Sequence, residues 1–368
     1  MRVLIAGGGT AGHVFPALAL ARQLAEGGDE VRFAGTAAGQ EARLVPGAGY
    51  AFVPVDAKPL VRAVSVRALT APVSAIRSIS RCRPIVEAVD VVVGMGGYVS
   101  VPVGLAALRA RRPLVVHEQN AVPGLANRTL ARPARTVALS FAEAARMLPR
   151  SVTSVVTGNP VRPEILAVPA ERDALRKEAL AELDLDEARR TVVVFGGSQG
   201  ALHINRAIVE ALIALGGRGD LQVILLTGAS HLESIRATLP SSGSLLVRPL
   251  GFLERMELAY AVADLVVSRA GATTIAELAV CGIPSILVPY PYATGRHQEA
   301  NARALQRAGA AEVVLDDAIG GQVFAARIGA LLDDAVRLRA MGECATAWSR
   351  PDAAEELAAV VRAAGGGR

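Results

Sequence analysis

A histidine stands at the mouth of a glycine-rich turn near the start of the chain. The apolar run Val3-Leu4-Ile5-Ala6 leads into Gly7-Gly8-Gly9-Thr10-Ala11-Gly12-His13. Imidazole titrates near neutral pH, so a histidine placed there can take a proton as a general base, or simply cap the turn. A second run, Leu114-Val115-Val116, closes on His117-Glu118-Gln119-Asn120. Four hydrogen-bonding side chains in a row make poor core and good sugar-recognition chemistry. A third run, Asp90-Val91-Val92-Val93, ends in Gly94-Met95-Gly96-Gly97-Tyr98. Those glycines either make a plain tight turn or let the backbone approach a bulky ligand closely.

The second half repeats the pattern without the histidine. Val192-Val193-Val194-Phe195 enters Gly196-Gly197-Ser198-Gln199-Gly200-Ala201 and then a helical period. A strand, a glycine turn and a helix start present backbone N–H groups and the positive helix end to an anion such as a phosphate. Ser268-Arg269-Ala270-Gly271-Ala272-Thr273-Thr274-Ile275-Ala276-Glu277 leaves another strand. Thr274 and Glu277 have the spacing of a capping box, while the Glu277 carboxylate could equally accept from both hydroxyls of a ribose. Arg296-His297-Gln298-Glu299-Ala300-Asn301 adds polar groups where a further helix opens. His203 and His231 read as ordinary surface or loop histidines.

Gly7-x-Gly9-x-x-Gly12 also fits the dinucleotide fingerprint, which wants an acidic residue at the end of the following strand. That strand ends Phe33-Ala34-Gly35-Thr36, without a carboxylate, and Pro16 sits where a first helical turn would accommodate it. A nicotinamide oxidoreductase is therefore a weaker alternative. A silent nucleotide-binding scaffold is another.

These residues need a scaffold that lines them up. Short β-branched runs near 3–6, 31–34, 51–55, 90–93, 114–117, 136–139 and 153–157 alternate with helical periods. A second series falls near 191–195, 222–227, 244–248, 264–267, 285–288 and 311–314. Such alternation predicts α/β domains with doubly wound parallel sheets. At 368 residues the chain suits two of them. The proline-flanked segment Gly158–Pro163 marks the break, giving domains over 1–160 and 161–349. A charged helix over about 170–189 leads into the second sheet. The terminal helix, about 350–368, is left either with the second domain or packed back on the first.

Hydrophobic residues at 52% against 20% charged exclude disorder and fit strands buried on both faces. The net charge of +5 comes without aromatic platforms or an arginine-rich tail, so anionic ligands or a membrane surface fit better than nucleic acid. Cys82, Cys281 and Cys344 are scattered, which suits a reducing cytoplasm and no metal site. No run is long enough to span a bilayer. Residues 58–86 carry Lys58, Arg62, Arg67, Arg77, Arg81 and Arg83 with no acid, interleaved with Leu60, Val64, Leu69, Val73, Ile76 and Ile79. This is either an anionic-lipid surface or an amphipathic core helix with a solvated basic face.

Taken in order, Gly8–Ala17, Gly94–Tyr98, His117–Asn120, Gly158–Arg162, Gly196–Ala201 and Ser268–Ala272 resemble the motifs of the MurG family of bacterial peptidoglycan enzymes. These are UDP-N-acetylglucosamine transferases that convert lipid I to lipid II. The resemblance implies a GT-B fold, two Rossmann-like domains facing a cleft, with no cofactor and no catalytic metal. It implies an acceptor-binding, membrane-associated first domain and a second domain that binds UDP-GlcNAc. His13 is the expected base and Glu118 the runner-up. Donor contacts are expected at Thr10, Ala11, Gly12, Asn120, Arg162, Gly197, Ser198, Gln199, Gly200, Phe252, Leu253, Ala272, Thr273, Glu277, His297 and Gln298. The acceptor diphosphate is expected against the first two glycine loops, at Gly9, Gly96, Gly97 and Tyr98. The same resemblance implies lipid I, the anionic cytoplasmic face of the cell membrane and cell-wall synthesis proteins as partners. A related transferase acting on another glycolipid or small aglycone would keep the second loop and Glu277 but not the loops at 94–98 and 117–120 together.

Overall fold

A computed structural model describes residues 1–57, 67–196, 202–239 and 243–366, with backbone only at 11, 67–76 and 202. The chain divides into two compact units, Met1–Arg162 with Arg350–Arg368, and Pro163–Ser349.

The first unit is built on seven parallel strands. They are β1 (Arg2–Ala6), β2 (Glu30–Gly35), β3 (Ala51–Pro54), β4 (Val91–Gly94), β5 (Leu114–Glu118), β6 (Thr136–Leu139) and β7 (Ser154–Val156). Their spatial order is β3-β2-β1-β4-β5-β6-β7. Strand order reverses between β1 and β4, and open α/β sheets bind ligands beyond the carboxyl ends of the strands at such a point. Alternate residues of β1 serve opposite faces. Val3 and Ile5 pack with Leu20, Leu24, Leu357 and Val361, whereas Leu4 and Ala6 join Val92, Val103 and Leu130. Both faces are therefore apolar, as a parallel sheet covered by helices requires.

The terminal helix Ala353–Gly365 packs on the first sheet beside the helix Ala11–Glu26. Arg362 Nε donates to Asp29 Oδ2 at 2.8 Å, and the N-terminal ammonium donates to Asp29 Oδ1 at 2.8 Å. Met1 and the helix Ala353–Gly365 are thus tied to one carboxylate.

The second unit carries six parallel strands: β8 (Arg190–Phe195), β9 (Leu221–Leu226), β10 (Leu246–Leu250), β11 (Leu265–Ser268), β12 (Ser285–Leu287) and β13 (Ala311–Val313). Their order is β10-β9-β8-β11-β12-β13, with the reversal between β8 and β11. Val192 and Val194 anchor a core with Ile204, Ile208, Leu212 and Phe324.

Local departures from the sequence reading have simple causes. The charged helix runs Val168–Glu182 and stops short of 189, because Asp184 takes a left-handed conformation at φ 50°. The helix after the first glycine loop starts at Ala11, so Pro16 lies in its interior and withholds the N–H that would reach the Gly12 carbonyl. The helix Ala272–Val280 is capped by Gly271, which overturns the Thr274–Glu277 capping box. Thr274 is already helical there, and the Glu277 carboxylate is engaged by the Tyr260 hydroxyl instead.

Candidate active site

Strand register sets the first site. Ala6 of β1 pairs with Gly94 of β4, and Gly94 pairs with Val116 of β5. The loops after these strands consequently leave one sheet edge side by side. Met95 N–H donates to the Ala6 carbonyl at 2.7 Å, and Ser100 Oγ lies 2.9 Å from Ala6 O and 2.7 Å from Gly96 O. The glycines are required by this contact. A Cβ on Gly97, at φ 76°, would fall 2.6 Å from the Gly8 carbonyl oxygen. One on Gly96, at φ 92°, would lie 3.0 Å from His13 Cε1.

His13 occupies the first turn of the helix Ala11–Glu26, half-buried, with Nδ1 3.1 Å from Gln119 Oε1. Gln119 and His117 are buried beneath it. Burial, with a smaller push from nearby His13, lowers the His117 pKa to about 4 against the opposing pull of the Gly158 carbonyl. Arg162 stacks its guanidinium over the ring of Phe15, 4.6 Å from the centroid, on the same helix as His13. Tyr98 is half-buried against the same sheet edge and packs on the core beneath it.

Glu118 is not placed to act as a base. Its Oε1 accepts from the Asn120 backbone N–H at 2.9 Å and from Asn120 Nδ2 at 3.2 Å. Its Oε2 accepts from Gly124 N–H at 2.9 Å and Asn127 Nδ2 at 2.8 Å. Four donors on a carboxylate only 2% exposed make it the organiser of the loop after β5. The Asn120 side chain is held by the same carboxylate.

The sequence reading overlooked Glu41. No acid ends β2, but the helix Glu41–Gly47 delivers one into the first glycine loop. The Glu41 carboxylate accepts from Gly9 N–H at 3.0 Å, and from Thr36 N–H and Thr36 Oγ1, each at 2.8 Å. Cβ atoms on Gly8, Gly35 or Gly39 would strike it at 2.1–2.4 Å. Burial raises the Glu41 pKa, yet the N–H groups of Gly9 and Thr36 and the Thr36 hydroxyl outweigh it, and the net shift is downward. Gly9 N–H is therefore committed to an internal anion, which corrects its assignment to the acceptor diphosphate. The available signal was Gly35 and Gly39 just ahead of an unplaced glutamate. Thr10 remains the exposed cap of the histidine helix, followed by Ala11 and the exposed Gly12.

At the second reversal, Phe195 of β8 pairs with Ser268 of β11, so Gly196 and Arg269 leave together. Gly197, Ser198, Gln199 and Gly200 lie outside the described residues. Arg269 is buried, ion-paired with Asp316, and 5.4 Å above the Tyr290 ring. Asp316 also meets His203 Nδ1 at 2.7 Å, so that histidine is part of a polar network. Ala272 and Thr273 open the next helix, and Glu277, 5% exposed, accepts from the Tyr260 hydroxyl at 2.9 Å.

Phe252 is 71% exposed, with Leu253 half-buried beside it. Gln298 Oε1 accepts the Tyr290 N–H at 2.9 Å, which turns its amide nitrogen outward from that bond. His297 Nδ1 donates to the Thr294 carbonyl at 2.8 Å, Arg296 pairs with Glu299 at 2.8 Å, and buried Asn301 donates to Ala270 O at 3.2 Å. Of that cluster, Asn301 is a brace for the loop after β11.

Two family descriptions match the two halves. The glycosyltransferase family 28 N-terminal domain covers residues 3–139 and its C-terminal domain covers 191–357. Curated relatives extend over nearly the full length. The UDP-N-acetylglucosamine–N-acetylmuramyl-(pentapeptide) pyrophosphoryl-undecaprenol N-acetylglucosamine transferase of Moorella thermoacetica is 43% identical, with 98% of both chains covered. The protein of that name from Halothermothrix orenii is 40% identical over 97% of both chains. The chain belongs to the MurG family of glycosyltransferases.

The crystal structure of Acinetobacter baumannii MurG agrees, at TM-score 0.80 and 30% identity, covering 98% of this chain and 99% of that one. The two parallel-sheet units are accordingly those of the GT-B fold. Among the described residues no helix is long and apolar enough to cross a membrane.

Proposed function

We propose that this chain transfers N-acetylglucosamine from UDP-GlcNAc to the C4 hydroxyl of the N-acetylmuramic acid of lipid I, giving lipid II and UDP. The observation that carries this reading is His13, half-buried at a helix start where three loops converge on the first strand-order reversal, in a MurG-family chain. His13 takes the C4 hydroxyl proton as that oxygen attacks the anomeric carbon. UDP leaves from the opposite face, so configuration inverts. A departing diphosphate needs charge stabilisation, which preorganised N–H donors supply without a nucleophile.

In this reading the loop Gly196–Ala201 holds the diphosphate, and Arg162 and Thr10–Gly12 are further donor contacts supplied by the first unit. Glu277, oriented by Tyr260, accepts from the ribose diol, and the backbone at Phe252-Leu253 meets uracil. Ala272, Thr273, His297, Gln298 and Asn120 complete the donor set. Gly96, Gly97 and Tyr98 receive the acceptor. The units divide the work as Met1–Arg162 with Arg350–Arg368 for lipid I and Pro163–Ser349 for the nucleotide sugar.

The protein works at the cytoplasmic face of the cell membrane as a peripheral protein, beside other cell-wall synthesis proteins. Residues 58–66 lie outside the described residues. In the described part of the basic stretch, Arg81 pairs with Asp56 and Arg83 with Glu87, while Ile79, Cys82 and Val86 enter the core. Membrane contact is assigned to the basic stretch 58–86, in whose described part Arg77 is exposed.

The test is transfer of labelled N-acetylglucosamine onto a lipid I analogue, with UDP-glucose and UDP-N-acetylgalactosamine as controls. Lipid II formation from UDP-GlcNAc supports the reading. UDP-GlcNAc binding without transfer overturns it.

A further inference from the structure

The hydrogen bonds behind His13 run in one direction, and that direction is set from their buried end. His117 Nε2 lies 3.0 Å from the Gly158 carbonyl oxygen, with Ser140 Oγ at 3.4 Å. A carbonyl only accepts, so Nε2 carries the hydrogen and Nδ1 of this neutral ring is a bare acceptor. Gln119 Nε2 lies 3.1 Å from that Nδ1 and 2.8 Å from the Met95 carbonyl. Both amide hydrogens are thereby used. Turning the amide over would set its oxygen against two acceptors, so Oε1 must face His13. At 3.1 Å from Nδ1, Oε1 can only accept, and Nδ1 must be the protonated nitrogen of the neutral His13 ring.

We infer that Gln119, backed by His117 and the Gly158 carbonyl, is a positioning residue that holds His13 in its Nδ1–H tautomer and leaves Nε2 as the basic nitrogen. The ring has little room to choose otherwise. Gly96, left-handed at φ 92°, admits it where a Cβ would lie 3.2 Å from Nδ1, so the imidazole sits between that glycine and the Gln119 amide. A neutral amide orients the imidazole as the carboxylate of a catalytic triad does, without a full negative charge that would favour the imidazolium. The kinetic half of this inference rests on His13 being the base; the tautomer half does not.

The tautomer is read directly by two-bond 1H–15N correlation on full-length protein labelled at histidine. The chain has five histidines, so the His13 pattern is found by its loss in His13→Gln. The expected result is a pyridine-type Nε2 and a protonated Nδ1 for His13. In Gln119→Leu that pattern changes, and turnover falls roughly 10- to 100-fold, the usual loss when the partner orienting a functional imidazole is removed. The KM for UDP-GlcNAc should stay within about twofold by the same orienting argument, since the donor-binding groups are untouched. A wild-type His13 protonated at Nε2 overturns the inference outright, whether or not the variant folds. An unchanged tautomer and turnover in Gln119→Leu overturns it as well. Wild-type turnover in His13→Gln, with the expected tautomer present, instead removes the base assignment and with it the kinetic half.

Discussion

The carboxylate of Glu41 accepts the N–H of Gly9 at 3.0 Å, so the first glycine loop of this transferase already holds an anion from its own chain. A loop with a formal dinucleotide fingerprint is thereby filled from within, against the glycines that leave it room. Glu41→Gln puts an NH2 group against N–H donors that a carboxylate had satisfied. Breaking such a buried charge-assisted set costs about 2–3 kcal/mol. Thermal unfolding should show that loss, and transferase activity should fall with it because the loop abuts His13. An unchanged melting temperature with full activity would show that the carboxylate does not hold the loop.

His117 predicts a pH dependence. Its pKa is about 4 in the folded chain and near 6.5 when unfolded, so between those values the unfolded state binds more protons. Stability from this group is present above pH 6.5 and is lost as pH falls toward 4. The slope is about 1.4 kcal/mol per pH unit at most. Glu41, lowered below its ordinary value, adds a second loss at still lower pH. Melting curves of wild type and His117→Phe across this range should differ in slope, with the variant flatter. Parallel slopes would mean that His117 is not held neutral.

Glu277 and Tyr260 couple the donor side to its core. The Tyr260 hydroxyl, fully buried, donates to Glu277 Oε2 at 2.9 Å. Tyr260→Phe removes about 1 kcal/mol of orientation, or roughly fivefold in UDP affinity by calorimetry. Glu277→Gln should weaken UDP further. If Tyr260→Phe binds UDP as tightly as wild type, Glu277 does not depend on it.

The fold was legible because parallel strands are apolar on both faces and punctuated by glycine; among the described residues all thirteen strands fall within a few residues of the runs that announce them. The convergence of Gly94, His117 and His13 was legible for the same reason, since Gly94 and His117 lie at the carboxyl ends of strands and His13 follows one. Contacts between distant segments were not. Glu41 reaches Gly9 across 32 residues, and Asn127 reaches Glu118 from a following helix. Local spacing also misled at Thr274, where the helix starts at Ala272, and at Glu118, whose carboxylate is taken up by donors of its own loop.

The basic stretch gives an interfacial prediction. Co-sedimentation with vesicles should require anionic lipid and weaken as salt rises, because the attraction is screened within about 10 Å at 0.1 M salt. Neutralising Lys58, Arg62 and Arg67 should abolish it, whereas neutralising Arg83, already paired with Glu87, should change it little. Equal binding to neutral vesicles would contradict an electrostatic contact.

The most direct test of the account is the turnover of His13→Gln on a lipid I analogue at saturating UDP-GlcNAc, with UDP affinity measured in parallel. Removing a general base predicts a fall in kcat of roughly 10²- to 10⁴-fold with UDP binding intact. Near-wild-type turnover with intact UDP binding would contradict it.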